Sequence, residues 1–207
     1  MDIGEIIPLI LMILTAVALP IGLSLSRRRS KGKIEDLHQH LLGTGLKASL
    51  LDEEAAQQIA LPKPSWGEKT QGIIALEDRK TEHVRLTSAS SQYGTNYYIE
   101  YLLKTPSLTG RDNTKKTSMV KKKSPPLWGR TVDIDWKGDP SLSQRLNLDY
   151  QLKYRLVNLY PEPLKGGISI HPEPKYGYTK IRTNYQLPSP DLFAAIDTIA
   201  KHVKAGV

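Results

Sequence analysis

Residues 6–25, IIPLILMILTAVALPIGLSL, carry no charged side chain, and Arg27, Arg28, Arg29, Lys31 and Lys33 follow almost at once. At about 1.5 Å per residue, a helix of that length covers roughly the 30 Å hydrocarbon core of a bilayer. Ile6, Leu9, Leu11, Leu14, Leu19 and Leu25 supply the anchoring side chains, each favourable by about 0.3–0.6 kcal/mol at mid-membrane. Pro8 lies near the start, where a missing N–H costs little, and Pro20 sits where a kink is tolerated in lipid. The stretch therefore predicts a transmembrane helix rather than a buried core helix.

The flanks decide between an anchor and a cleaved leader. Ala16-Val17-Ala18 has the small-residue spacing of a cleavage site, but a leader carries its positive charge ahead of the apolar run. Here Asp2 and Glu5 precede it and the five cations follow. The sequence predicts an uncleaved single-pass signal-anchor. Because positive charge stays inside, residues 1–5 are expected outside the cell membrane and the bulk of the chain in the cytoplasm. The five cations read as a topology signal, with contact to lipid head groups as the second possibility.

The formal net charge is +8, which suits a polyanionic partner or an anionic membrane surface. There is no cysteine, which excludes disulfides, thiolate metal sites and a cysteine nucleophile. The expected partners are the lipid bilayer, anionic lipid head groups and another membrane protein; nucleic acid is disfavoured.

Residues 26–64 read as a basic juxtamembrane segment and helical stalk. Ile34, Leu37, Leu41 and Leu42 share one side of a short helical stretch. Ser49 followed by Asp52 reads as the opening of another, with Leu51, Ala55 and Ile59 every four residues. Packing on the domain is the preferred role for both stripes. Residues 65–207 read as one α+β domain. Tyr97, Ile99, Tyr101 and Leu103 alternate, as do Val132, Ile134 and Trp136, which argues half-buried strands. Residues 83–93 and 97–105 are expected to form a hairpin. Residues 107–128 are Lys-rich and read as an exposed mobile loop.

Asp139-Pro140 then opens a helix expected to run to about residue 158, with Leu142, Leu146, Leu152 and Leu156 inward. Ser189-Pro190 opens the last helix, whose Leu192, Ile196, Ile199 and Val203 form one stripe. The expected fold is α+β: a transmembrane helix, then a mostly antiparallel sheet of about five or six strands with two helices packed on one face.

No catalytic chemistry reads clearly. Gly110 to Thr117 resembles a phosphate-binding loop, but Lys115 stands where a second glycine must let the backbone wrap the phosphates. Asp133, Asp135 and Asp139 are spaced like the start of a calcium loop, but Lys137 and Gln144 occupy ligand positions. Gly167-Ile-Ser169-Ile-His171 lacks the second glycine of a nucleophile elbow. His38, His40, His83, His171 and His202 are scattered without metal-ligand spacing. No catalytic, cofactor or metal residue is assigned. Tyr93, Tyr97, Tyr98, Tyr101, Tyr178 and Tyr185 are expected in the sheet core and on its surface rather than as a base-stacking platform. Lys115, Lys116, Lys121, Lys122 and Lys123 are the candidate polyanion contacts. The expectation is a membrane-tethered interaction or accessory domain. The alternatives are an enzyme with a dispersed site including Asp133, Asp135 and His171, and a basic domain that binds lipid head groups or nucleic acid.

Overall fold

A computed structural model describes residues 32–108, 115–125, 129–159 and 166–205. The chain runs from helix α1 (residues 32–43) into β1 (Ala48–Leu50), α2 (Glu53–Gln58), β2 (Glu68–Leu76), β3 (His83–Ser91) and β4 (Gly94–Lys104). There follow β5 (Thr117–Ser124), β6 (Arg130–Lys137), α3 (Pro140–Leu148), α4 (Tyr150–Val157), β7 (Ile168–Glu173), β8 (Tyr178–Asn184) and α5 (Pro190–Ala205). All eight strands form one sheet in the order β1-β2-β3-β4-β8-β7-β5-β6, and each neighbouring pair is antiparallel.

This corrects the expected architecture: the described residues form eight strands rather than five or six, and five helices rather than two. The lysines of β5 disguised it as a loop, yet Thr117 and Met119 are buried and the strand pairs with both β6 and β7. Asp149 divides the helix expected over 140–158. Its carboxylate accepts from the Leu152 N–H and caps α4, as Asp139 caps α3 through the Leu142 N–H. Ser49 is a strand residue, and Asp52 is the cap of α2.

Among the described residues no helix is long and apolar enough to cross a membrane, and single-pass membrane placement with a cytoplasmic domain is not supported. The expected span, with Ile6, Leu9, Leu11, Leu14, Leu19 and Leu25, and the cations Arg27, Arg28, Arg29 and Lys31 lie outside the described residues. Helix α1 packs on the domain, the preferred role for its stripe, and does so as part of the core rather than as a separate stalk. Ile34, Leu37 and Leu41 are buried in the same core as the sheet and α5. A Cβ on Gly72 of β2 would lie 2.6 Å from the Ile34 side chain, so glycine lets α1 approach the sheet closely. Lys33 caps the contact with its ammonium 4.5 Å from the Tyr185 ring centre and 5.1 Å from that of Tyr97.

One face of the sheet carries this core. Val84 and Leu86 of β3, Ile99, Tyr101 and Leu103 of β4, and Ile181 of β8 pack with leucines of α3 and α4 and the stripe of α5. Each large aliphatic side chain removed from water stabilises by about 1.5–3 kcal/mol. The free edge of β6 is blunted by Asn147 of α3, whose amide accepts from the Trp136 N–H (2.8 Å) and donates to the Trp136 carbonyl (3.0 Å). The opposite face carries the charge.

A polar row across the sheet and the cleft at its open end

Strand pairing aligns one residue from each of five neighbouring strands on the helix-free face. Ser118 of β5 faces Ser169 of β7, Ser169 faces Arg182 of β8, Arg182 faces Glu100 of β4, and Glu100 faces Arg85 of β3. Alternation puts each of them opposite the core face. A solvated sheet face would leave such a row in water. Here the segment between α2 and β2 crosses it, and the Pro62 carbonyl accepts from Arg85 Nη1. Arg85 is consequently 2% exposed and Glu100 0%.

The buried charges compensate each other. Arg85 Nε and Nη2 lie 2.8 and 2.6 Å from Glu100 Oε2. Arg182 Nη1 is 3.8 Å from Glu100 Oε1, while its Nη2 donates to Glu68 Oε1 of β2 at 2.5 Å. Two arginines and two glutamates thus form a neutral chain over four strands. Lys180 is paired with Glu173 at 2.5 Å. The Arg182 guanidinium also stacks 3.8 Å from the centre of the Tyr98 ring, which fixes its plane.

Beyond Arg182 the cover ends and a cleft of about 270 Å³ opens. Its walls include Lys116, Ser169, His171 and Arg182, with Gly166 and Asn184 at one end. Thr117 pairs with Ile170, so Lys116 falls opposite His171 one step along the ladder. Two glycines set this geometry. Gly167 has φ +75° at the entry to β7, a left-handed conformation that glycine adopts at little cost. A Cβ on Gly166 would lie 2.5 Å from the Asn184 amide, so its absence lets the loop meet that side chain.

His171 Nε2 and Ser169 Oγ are 2.9 Å apart. Burial pushes the His171 pKa down, and the positive charges of Lys116, Lys180 and Arg182 push it further, to about 4. The ring is therefore neutral at pH 7. Among the described residues Lys116 makes no ion pair. It is the one cation of the cleft wall that the Glu68–Arg182–Glu100–Arg85 chain and the Lys180–Glu173 pair leave uncompensated.

The depressed His171 pKa has a measurable consequence. The unfolded imidazole titrates near 6.5 and the folded one near 4. Between those values the unfolded chain binds a proton that the folded chain does not, so stability falls as pH drops through that window. The loss is expected to be no more than about 3 kcal/mol from this group. Urea unfolding at pH 7 and pH 4.5 will show it, and His171→Gln will make the difference smaller. His83, also shifted down by burial, contributes in the same direction and keeps the remaining slope above zero. An imidazole titration above pH 6 would contradict the reading.

The lysines singled out from the sequence separate. Lys115 and Lys123 are exposed, Lys116 enters the cleft, and Lys121 is half-buried. Lys122 bridges Asp133 (3.2 Å) and Asp135 (2.7 Å) on β6. Successive residues of a strand point to opposite faces, so the run makes no continuous basic surface. Asp133 and Asp135 also meet Lys153 of α4, at 3.0 and 3.7 Å. The Lys153 hydrogen bond is the main reason that Asp133 is held at about 2. Both acids serve the β6–α4 contact rather than His171.

The phosphate-loop-like stretch falls largely on residues 109–114, outside those described, and the calcium-like spacing is split between Asp133 and Asp135 on β6 and Asp139 at the cap of α3. Among the described residues no cluster of acids and histidines is suited to a metal ion. The tyrosines are dispersed: Tyr101 packs edge-on to Phe193 in the core, Tyr97 meets Tyr185, and Tyr93 is exposed. Comparison with family models, curated proteins and solved structures gives no match for this chain.

Proposed function

We propose that this chain is a binding domain for a small anion, which it takes into the cleft beside Arg182. The observation that carries this reading is that Lys116, which makes no ion pair among the described residues, lines the same polar cleft as Arg182. Arg182 is already oriented by Glu68 and by the Tyr98 ring, so an arriving anion would lose little entropy in fixing its partner. Ser169 Oγ and the Asn184 amide add neutral hydrogen-bond donors on the same wall. This narrows the interaction-domain expectation to a ligand of small size. It also weighs against the polyanion alternative, because Lys122 is engaged by two carboxylates and its neighbours diverge.

The Ser169–His171 hydrogen bond favours one other reading, that of a nucleophile and its base. An imidazole titrating near 4 is a poor proton acceptor at neutral pH, so the pair serves better as a donor and acceptor for a bound group.

The test is calorimetric titration of the full chain with inorganic phosphate and with sulfate at low and moderate salt. Binding that weakens with salt and drops about tenfold in Lys116→Ala is the expected result, since one charge-assisted contact is worth about 1.5–3 kcal/mol. Absence of any heat with millimolar phosphate, or equal affinity in wild type and Lys116→Ala, overturns the proposal.

A further inference from the structure

The cationic cleft has a neighbour. A second cleft, of about 250 Å³, is lined by Thr95, Asn96, Tyr97, Tyr98, Asn184 and Tyr185. Tyr98 and Asn184 belong to both walls. They are also the last residues at which β4 pairs with β8 inside the regular ladder. Beyond them, only the Tyr185 N–H to Tyr97 carbonyl bond (2.9 Å) joins the two strands. The second cleft sits where the strands part.

The two clefts differ in chemistry. The first offers Lys116 and Arg182. Among its described lining residues the second offers no charged side chain, but phenol rings, the Thr95 hydroxyl and two carboxamides, Asn96 and Asn184. Either volume alone lies below the usual range for a small-molecule site, roughly 300–1,000 Å³, while the two together lie within it. A ligand filling both has an anionic end and, a short distance away, a planar polar end that presents hydrogen-bonding edges to amides and a flat face to a tyrosine.

We infer that the ligand is a nucleotide, with its phosphate between Lys116 and Arg182 and its base in the cleft of Asn96, Asn184 and Tyr98. Asn side chains carry both a donor and an acceptor and so match the mixed edge of a base. Tyr rings supply a face for stacking, as in single-strand nucleic-acid binders. A free nucleotide fits better than a strand, because along β5 Lys122 is neutralised by Asp133 and Asp135 and offers no second phosphate contact.

This inference rests on the anion-binding reading, and the experiment separates the two. The full chain is titrated with inorganic phosphate, ribose 5-phosphate, and each of the four ribonucleoside 5′-monophosphates. At least one nucleotide is expected to bind about tenfold or more tightly than ribose 5-phosphate. Asn96→Ala, an exposed site outside the ion-pair chain, is expected to lower that nucleotide's affinity at least fivefold while leaving phosphate affinity within twofold. Tyr98→Phe is expected to keep most of the affinity, since the ring is what stacks. If phosphate binds and no nucleotide exceeds ribose 5-phosphate, the nucleotide assignment fails and the anion site stands. If a nucleotide binds tightly but Asn96→Ala leaves it unchanged, the base lies elsewhere and the inference also fails. If neither phosphate nor any nucleotide binds, both readings fall.

Discussion

Glu100→Gln will cost the fold about 3–5 kcal/mol, although the substitution changes one atom and hardly any volume. Arg85 is buried with two partners, the Glu100 carboxylate and the Pro62 carbonyl. Glutamine keeps the shape but leaves a guanidinium charge in the interior with nothing to balance it. For a domain whose whole stability is about 5–15 kcal/mol, such a loss is read easily from the urea midpoint. A paired replacement, Arg85→Met with Glu100→Leu, removes both charges together and is expected to recover most of the loss, because a buried pair and an apolar pair of similar volume differ little. Arg182 keeps Glu68 in both variants, so the cleft side of the row stays formed. If Glu100→Gln costs less than about 1 kcal/mol, the burial of Arg85 is not what the 2% exposure implies.

That row was poorly legible in the sequence for a definite physical reason. In Val84-Arg85-Leu86, Ile99-Glu100-Tyr101 and Ile181-Arg182-Thr183 a charged residue stands between uncharged ones, and that pattern ordinarily marks a strand with one face in water. Alternation puts Ile99, Tyr101 and Leu103 on one face of β4, and they pack in the core. What alternation cannot carry is register across strands far apart in the chain. Glu100 meets Arg182 only because β8 comes back beside β4, and nothing local announces that pairing. The one available signal was three inner strands with charges of complementary sign, Arg85, Glu100 and Arg182, between core positions.

Elsewhere composition misled in both directions. The lysines of β5 hid a strand that lies between β7 and β6. The apolar run before residue 32 made α1 read as part of a stalk, although Ile34, Leu37 and Leu41 belong to the core. Ser169 and His171, two residues apart on β7, share a strand face by alternation alone. Their setting beside Lys116 depends on the β5–β7 ladder, which joins only Thr117 to Ile170 and Ser118 to Ser169.

Gly138→Ala tests whether the β6–α3 turn, packed against the start of β5, holds Lys116 in place. Gly138 has φ +137°, which costs an L-residue about 1–3 kcal/mol by itself. A Cβ there would lie 2.0 Å from the Lys116 carbonyl oxygen and 2.7 Å from Thr117 Cα. Both neighbours are backbone, so no rotamer change relieves the contact and the start of β5 must move. The shift would also strain the bond from the Asp139 N–H to Thr117 Oγ1 (3.2 Å) that ties the cap of α3 to β5. The expected loss is about 3 kcal/mol or more, and phosphate affinity should fall by about as much as in Lys116→Ala, because the same ammonium has left the cleft. Lys116→Ala, at an exposed position, should by contrast leave stability within about 0.5 kcal/mol. The two variants thus share a binding defect and differ in stability. Measuring phosphate binding at a temperature where Gly138→Ala remains folded separates these effects. Full affinity in a destabilised Gly138→Ala chain would mean that Lys116 is positioned by something other than its contact with the β6–α3 turn, and the route proposed for building the site would be wrong.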